Sequence, residues 1–303
     1  MKFPILQEQF YTQEELDSAN SFMKSILDAP TWRMLKEITR EQIETDMLVP
    51  VVDHFLARAQ CSLPEHKVPE EILRKPKEEA KKINPNAQIR FVSFVRYSNQ
   101  FGFPQLGPHL DPVSKEHFFF DVQLDGNVDW PIVVAEEDPE APDKKGNVVG
   151  YSLKNNDSLC IEITRQAHWR TPVKFKDGDF IDMIFISFED PNIEPPTLEW
   201  QTEIGLKYMD DYEAELELIY PKNTTITFDQ RAEYAKNNVK QMGKLDLNAV
   251  SAEEGSGKKQ DNEISFLDNK KDFYTLKQEA EAKKKNDDPS CMVEMMNEMR
   301  EKN

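Results

Sequence analysis

The segment Pro104-Gln105-Leu106-Gly107-Pro108-His109-Leu110-Asp111 decides both the fold and the chemistry expected of this chain. Its prolines and its glycine break regular structure, so the segment marks a loop or the start of a strand. Side chains at positions i and i+2 of an extended strand point to the same face, so we expect His109 and Asp111 to lie side by side. An imidazole and a carboxylate placed in this way are two ligands of a facial metal triad. The alternative is a surface histidine and aspartate that only bond each other.

His168 is the predicted third ligand of this triad. The chain has five histidines. We favour His168 because the strand pair that closes a β-barrel has to return to the metal side. His117, at the start of the strand after Asp111, stays open as an alternative third ligand, and His168 has the alternative role of an ordinary half-buried histidine. The other two histidines fall in the polar, helical N-terminal part, at His54 and His66.

Composition excludes several classes of function. The chain has 303 residues, of which 38% are hydrophobic and 31% charged, and its formal net charge is −18. One large domain can bury a core at this length. Nucleic acid is an unlikely partner because the chain lacks the basic balance that displaces counterions from phosphates. We expect no membrane association and a cytoplasmic location, with no secretory leader and free thiols at Cys61, Cys160 and Cys291.

The N-terminal part is predicted to be helical. Residues 12–28 have apolar side chains at helical spacing, with Thr12 or the acidic residues after it as the cap and Pro30 as the end. A second helix is expected over about 40–60. Residues 62–85 indicate a solvated connection with a short helix.

The sequence then changes to short β-type segments separated by tight polar turns. His168 is expected at the end of the strand that begins near Leu159. Close spacing of such strands is typical of a jelly roll. We therefore predict an α+β fold, a double-stranded β-helix (86–195) buttressed by helices (1–85), within a domain of residues 1–205. A helical extension (206–245) and a charged, flexible tail (246–303) follow. The strands are predicted at 89–97, 117–124, 130–136, 147–153, 158–164 and 180–188.

An ordered series of residues resembles the Fe(II)/2-oxoglutarate dioxygenase superfamily, most closely its prolyl 4-hydroxylase-like branch. The resemblance covers roughly residues 1–195. Its motifs are Val95-Arg96-Tyr97, Gly102, Pro108-His109-Leu110-Asp111, His168, Thr171-Pro172-Val173 and Gly178.

The resemblance implies an enzyme and names its parts. His109, Asp111 and His168 would hold Fe(II), and Tyr97 would line the pocket of 2-oxoglutarate. The implied reaction consumes O2 and 2-oxoglutarate, releases succinate and CO2, and hydroxylates a substrate such as a protein prolyl residue. The substrate itself is not identified, and ascorbate is a further cofactor that the resemblance suggests.

One position departs from the family pattern. The branch has a Lys or Arg two residues after the glycine of the last core strand, whereas this chain has Asp179-Phe180 after Gly178. A dianionic co-substrate needs a cation, ideally the planar fork of an arginine. Arg170 is the candidate, because on a continuing strand it faces the same interior as His168. It could also be a surface cation at a strand end. The alternatives are Arg96, which has the opposite parity to Tyr97, and Lys176.

Two other classes of protein remain open at this point. The same triad can hold another metal in a cupin-like enzyme, since Fe(II) is not the tightest-binding divalent ion. The missing cation at Phe180 also fits a non-catalytic jelly-roll binding module.

Overall fold

The computed structural model describes residues 3–34, 50–54, 56–111, 116–136, 145–190, 192–194, 196–219 and 228–246. The fold is α+β, with two largely antiparallel sheets of eight and four strands. The larger sheet contains, in spatial order, β1 (Ile5–Gln7), β10 (Ser158–Ile161), β7 (Glu116–Gly126), β12 (Phe180–Glu189), β5 (Gln88–Ser98), β4 (Arg58–Leu63), β3 (Val51–Asp53) and β2 (Arg33–Met34). The smaller sheet contains β6 (Leu106–His109), β11 (His168–Arg170), β8 (Ile132–Glu136) and β9 (Asn147–Tyr151).

From β5 to β12 the chain passes back and forth between the two sheets, which is the connectivity of a jelly roll. The larger sheet receives β5, β7, β10 and β12, and the smaller sheet receives β6, β8, β9 and β11. The six predicted strands correspond to β5, β7, β8, β9, β10 and β12, so these predictions are confirmed.

The helices are α1 (Gln13–Leu27), α2 (Glu70–Ile83), α3 (Leu198–Leu206), α4 (Met209–Ile219) and α5 (Phe228–Gln241). The predicted first helix is confirmed as α1, and Thr12 is its N-cap. A capping box closes this end, because Thr12 and Glu15 each accept a hydrogen bond from the other's backbone N–H. None of the helices in the described ranges is long and apolar enough to cross a membrane.

Two apolar clusters lie on the two faces of the larger sheet. Along β7, Phe118 and Phe120 pack with residues of α1 and α2, whereas Phe119 points into the cluster between the sheets. This alternation follows from the two-residue period of a strand. The inter-sheet cluster also contains Tyr97, Trp130 and Met183, and it is the interior into which the site residues project.

Two sequence-based expectations are wrong. The second helix was expected over about 40–60, but β3 and the start of β4 occupy 51–53 and 58–60. Pairing of β4 with the long β5 decides this segment, since tertiary context overrides a local apolar spacing. His168 does not end the strand that begins near Leu159. That strand stops at Ile161, the turn 162–166 follows, and His168 opens β11. Residues 35–49 and the predicted tail beyond 246 lie outside the described residues.

Candidate metal centre

Two neighbouring strands of the smaller sheet carry the predicted histidine ligands. Strands β6 and β11 pair antiparallel, and His109 lies directly opposite His168. Their imidazole centroids are 4.4 Å apart. Asp111 follows two residues after the end of β6, and its Oδ1 is 3.4 Å from Nε2 of His109. The register of one strand pair thus brings together residues that are distant in sequence.

Both imidazoles are oriented by the backbone. Nδ1 of His109 is 2.8 Å from the carbonyl oxygen of Gly107, and Nδ1 of His168 is 3.1 Å from that of Gln166. Because a carbonyl oxygen only accepts, each Nδ1 carries the hydrogen and donates it. Each Nε2 therefore keeps its lone pair, which is the arrangement that metal-binding histidines use.

The three side chains fit one metal ion. One ligand atom each from His109, Asp111 and His168 can be chosen so that all lie within 4.8 Å of one another. Two ligand atoms of one ion lie at most about 4.2 Å apart, twice a metal–nitrogen bond of about 2.1 Å, so this upper limit is close to what one ion requires. His168 is buried, while His109 and Asp111 are partly exposed. Two imidazoles and one carboxylate form the donor set of a facial triad, so one side of the ion would stay open to ligands.

His117, the alternative third ligand, lies elsewhere. It stands on β7 with its ring against Phe3 and Phe118, and its Nδ1 is 3.5 Å from Oε1 of Glu162. Burial and the nearby charge of Arg165 lower the pKa of His117. Among the described residues, the group that can share a metal contains His168 instead.

The turn 162–166 and helix α3 hold the loop of Asp111. The backbone N–H of Asp111 donates to the carbonyl of Ile163 at 3.0 Å. The side-chain amide of Gln201, on α3, donates to the carbonyls of Asp111 and Thr164, at 3.3 and 3.2 Å. Gln201 is 3% exposed. Both the aspartate and the turn before His168 are thereby tied to one helix.

Tyr97 faces the inter-sheet interior, together with an arginine that the sequence analysis did not propose. Arg58, on β4, lies directly opposite Tyr97, and its Nη1 donates to the Tyr97 hydroxyl at 3.2 Å. Its Nε is 3.4 Å from Oδ2 of Asp53 and has no hydrogen-bond partner in the described residues. Burial opposes the charge of Arg58, but Tyr97, Asp53 and Asp111 together raise its pKa. Arg58 is therefore a buried cation within electrostatic reach of the triad.

Arg170, the candidate anchor, also lies in the interior, where both of its Nη atoms already donate hydrogen bonds. Its Nη2 donates to Oδ2 of Asp121 at 2.9 Å, and its Nη1 donates to the Trp130 carbonyl at 2.7 Å. The side chains of Arg170 and Asp121 are 2% and 1% exposed. Burial raises the pKa of Asp121 to about 6, although Arg170 opposes this.

The other two cations proposed from the sequence lie away from this interior. Arg96 donates to both carboxylate oxygens of Asp182, each at 2.6 Å, on the face opposite to Tyr97. Lys176 is exposed in the turn before β12. Sequence reasoning missed Arg58 and Gln201, because their partners are distant in the chain. The sequence hinted at Arg58 only because this arginine lies among apolar residues. The segment was predicted to be a helix, so its pairing with Tyr97 was not expected.

Comparisons with known proteins find a distant likeness to solved structures. No protein-family model and no curated protein matches the chain. A prolyl-4-hydroxylase from Pseudomonas putida is similar in structure, at 9% identity and a TM-score of 0.44, over 62% of this chain and 93% of that one. HygX from Streptomyces hygroscopicus, solved with nickel, 2-oxoglutarate and hygromycin B bound, is similar at 8% identity and a TM-score of 0.43. This match covers 65% of this chain and 89% of that one.

A third similar structure is the prolyl hydroxylase from Trichoplax adhaerens in complex with a hypoxia inducible factor peptide fragment, at 9% identity and a TM-score of 0.41, over 62% of this chain and 90% of that one. These neighbours are iron- and 2-oxoglutarate-dependent oxygenases, prolyl hydroxylases among them, the class that the sequence resembles. At these TM-scores the likeness is distant.

Proposed function

We propose that this protein is an Fe(II)- and 2-oxoglutarate-dependent oxygenase whose metal ligands are His109, Asp111 and His168. The observation that supports this most strongly is the shared orientation of the two imidazoles. Each gives its Nδ1 hydrogen to a backbone carbonyl two residues earlier, so that both Nε2 atoms are available beside one carboxylate. When bound, Fe(II) would supply the oxidative chemistry that couples decarboxylation of 2-oxoglutarate to hydroxylation of the substrate.

The chain's own residues would bind and orient the co-substrate. The inter-sheet interior beside the triad is apolar, which excludes water, and it contains buried guanidinium groups for a carboxylate. The resemblance to prolyl 4-hydroxylases suggests a protein prolyl residue as the substrate. No feature of the described residues supports a role for ascorbate.

Two arginines can hold the distal carboxylate of 2-oxoglutarate. Arg170, the candidate from the sequence, is already neutralised by the hydrogen-bonded Asp121. Within the described part of the chain, Arg58 donates one hydrogen bond, to the Tyr97 hydroxyl, and its Nε lies 3.4 Å from Oδ2 of Asp53 without a hydrogen bond. A guanidinium with unused donors gains more from a new carboxylate than one whose donors are satisfied. We therefore favour Arg58 with Tyr97 as the anchor and keep Arg170 as the competing assignment.

An anaerobic titration tests the metal and the co-substrate together. Fe(II) and then 2-oxoglutarate are added to the apo-protein, and the visible metal-to-ligand charge-transfer band is recorded. We expect a band in the wild type and in His117→Ala, a matched histidine outside the triad, and none in His168→Ala. Fe(II) binding without a band would contradict the co-substrate assignment. Absence of Fe(II) binding would favour the non-catalytic binding module, and tighter, catalytically active binding of another metal would favour the cupin-like enzyme.

A pair of keto acids tests the anchor. 2-Oxopentanoate has the same metal-binding head and chain length as 2-oxoglutarate but lacks the distal carboxylate. We expect Arg58→Gln to weaken 2-oxoglutarate by about 30-fold, which corresponds to about 2 kcal/mol for a buried charge pair, and to leave 2-oxopentanoate unchanged. A selective loss in Arg170→Gln instead would assign the anchor to Arg170. Equal loss of both acids would show that the arginine has only a structural role.

A further inference from the structure

Helix α3 packs directly against the strand that carries His109. An added Cβ at Gly205 would lie 3.5 Å from the carbonyl oxygen of Pro108 and 3.6 Å from Cα of His109, so the backbones of helix and strand are in contact. The next helix continues this cover, with the Tyr212 ring close to Gly107. The outer side of β6 is therefore bounded by helices that follow the jelly roll in sequence.

Gln201, on this helix, uses both donors of its side-chain amide. A glutamine side chain has two N–H donors. Nε2 of Gln201 donates to Asp111 O and to Thr164 O, which belong to the two segments that position Asp111 and His168. The side chain is 3% exposed, so water does not compete well for these carbonyls.

The bridge matters most for Asp111, because this residue lies beyond the end of β6 and is outside the strand ladder. Its backbone N–H is bonded to Ile163 O and its carbonyl to Gln201. With both backbone groups bonded, the direction of the side chain from Cα is restricted. The carboxylate is thereby kept beside Nε2 of His109, where its Oδ1 lies at 3.4 Å.

We infer that Gln201 is a positioning residue of the metal centre, which couples the Asp111 loop and the turn before His168 to helix α3. Its amide donates to backbone carbonyls, so it acts through the segments that carry the ligands. It acts by holding the carboxylate and the second imidazole at the separation that one ion requires. This inference rests on the proposed metal site, and it makes a helix outside the eight jelly-roll strands part of that site.

The test is binding of Co(II) alone to the apo-protein, followed by its visible d–d spectrum. Gln201→Met keeps the length and the helix propensity of the side chain but removes both donors. Loss of an outer-shell hydrogen bond typically lowers metal affinity by 10–100-fold, so we expect a dissociation constant raised by about tenfold or more. The d–d spectrum should also change, because the carboxylate is less well fixed.

Two further variants keep the test decisive. Glu203→Gln alters an exposed side chain of the same helix and should leave Co(II) affinity unchanged. Gln201→Glu replaces the Met variant if that variant does not fold. Its carboxyl group can donate only while protonated, so its Co(II) affinity should decrease relative to that of the wild type as the pH rises. Wild-type affinity and spectrum in a folded Gln201 variant would overturn the inference. Failure of the wild type to bind Co(II) would instead contradict the metal site itself.

Discussion

The ion pair between Asp121 and Arg170 sits in the inter-sheet core, where charge is costly. Both side chains are almost inaccessible, and Met183 Sδ lies 3.2 Å from Nη2 of Arg170. Replacing such a pair by apolar residues is often neutral or stabilising, whereas removing one partner leaves an uncompensated charge. We therefore expect that removing either partner costs stability, whereas replacing both by apolar residues does not.

Titration of Asp121 gives a prediction for stability. Burial raises its pKa from the ordinary 3.8 to about 6, so the folded state binds this proton more tightly than the unfolded state. The stabilisation is complete below about pH 4 and is lost as the pH rises through about 6. Asp121→Asn cannot titrate there. We therefore expect the wild type to lose stability relative to the variant as the pH rises from about 4 to above 6. Urea unfolding at several pH values measures this difference in the free energy of unfolding. A difference that increases with pH would contradict the assignment.

At the scale of single elements, helix α1 depends on its capping box. Oγ1 of Thr12 accepts from the Glu15 N–H at 3.3 Å, and Oε2 of Glu15 accepts from the Thr12 N–H at 3.0 Å. The same Glu15 accepts from Arg74 of α2 at 2.6 Å, so the cap also joins the two helices.

Removal of the cap should have a measurable cost. Thr12→Ala leaves the Glu15 N–H without its acceptor and should lower the free energy of unfolding by about 1 kcal/mol. Thr12→Ser, which keeps the hydroxyl, should lower it by less. Urea denaturation of the three proteins measures the effect, and equal stability of the Ala variant and the wild type would show that the cap is dispensable.

The elements also show why part of the molecule could be predicted. Strands such as β5 and β7 are rich in β-branched and aromatic residues, and turn residues follow β7, both of which are local properties. Strands β3 and β4 could not be recognised in this way, because their pairing with β5 outweighs an apolar spacing that also suits a helix. The triad was predictable from scarce histidines and simple ligand chemistry. Arg58 and Gln201 were not, since their bonds span 39 and 90 residues.

For the whole molecule, metal binding should contribute to stability. The proposed ligands come from two strands and a loop that lie close together only in the folded state. A ligand that binds only the folded state stabilises it by about 2.7 kcal/mol when its free concentration is 100 times Kd. We therefore expect saturating Co(II) to raise the Tm of the wild type. His109→Ala should show no such increase, and an equal shift in that variant would mean that the ion binds elsewhere.

The antiparallel pairing of β6 with β11 places His109 directly opposite His168. A slip of one residue in this pairing would turn one imidazole to the other face of the sheet and abolish the shared site. Ion affinity would therefore report whether these two strands are paired in the correct register. A slip that leaves the secondary structure content unchanged would not alter the circular dichroism spectrum, but the misregistered chain would not bind the ion. A bound ion would thereby also stabilise the correct register of a strand that is three residues long.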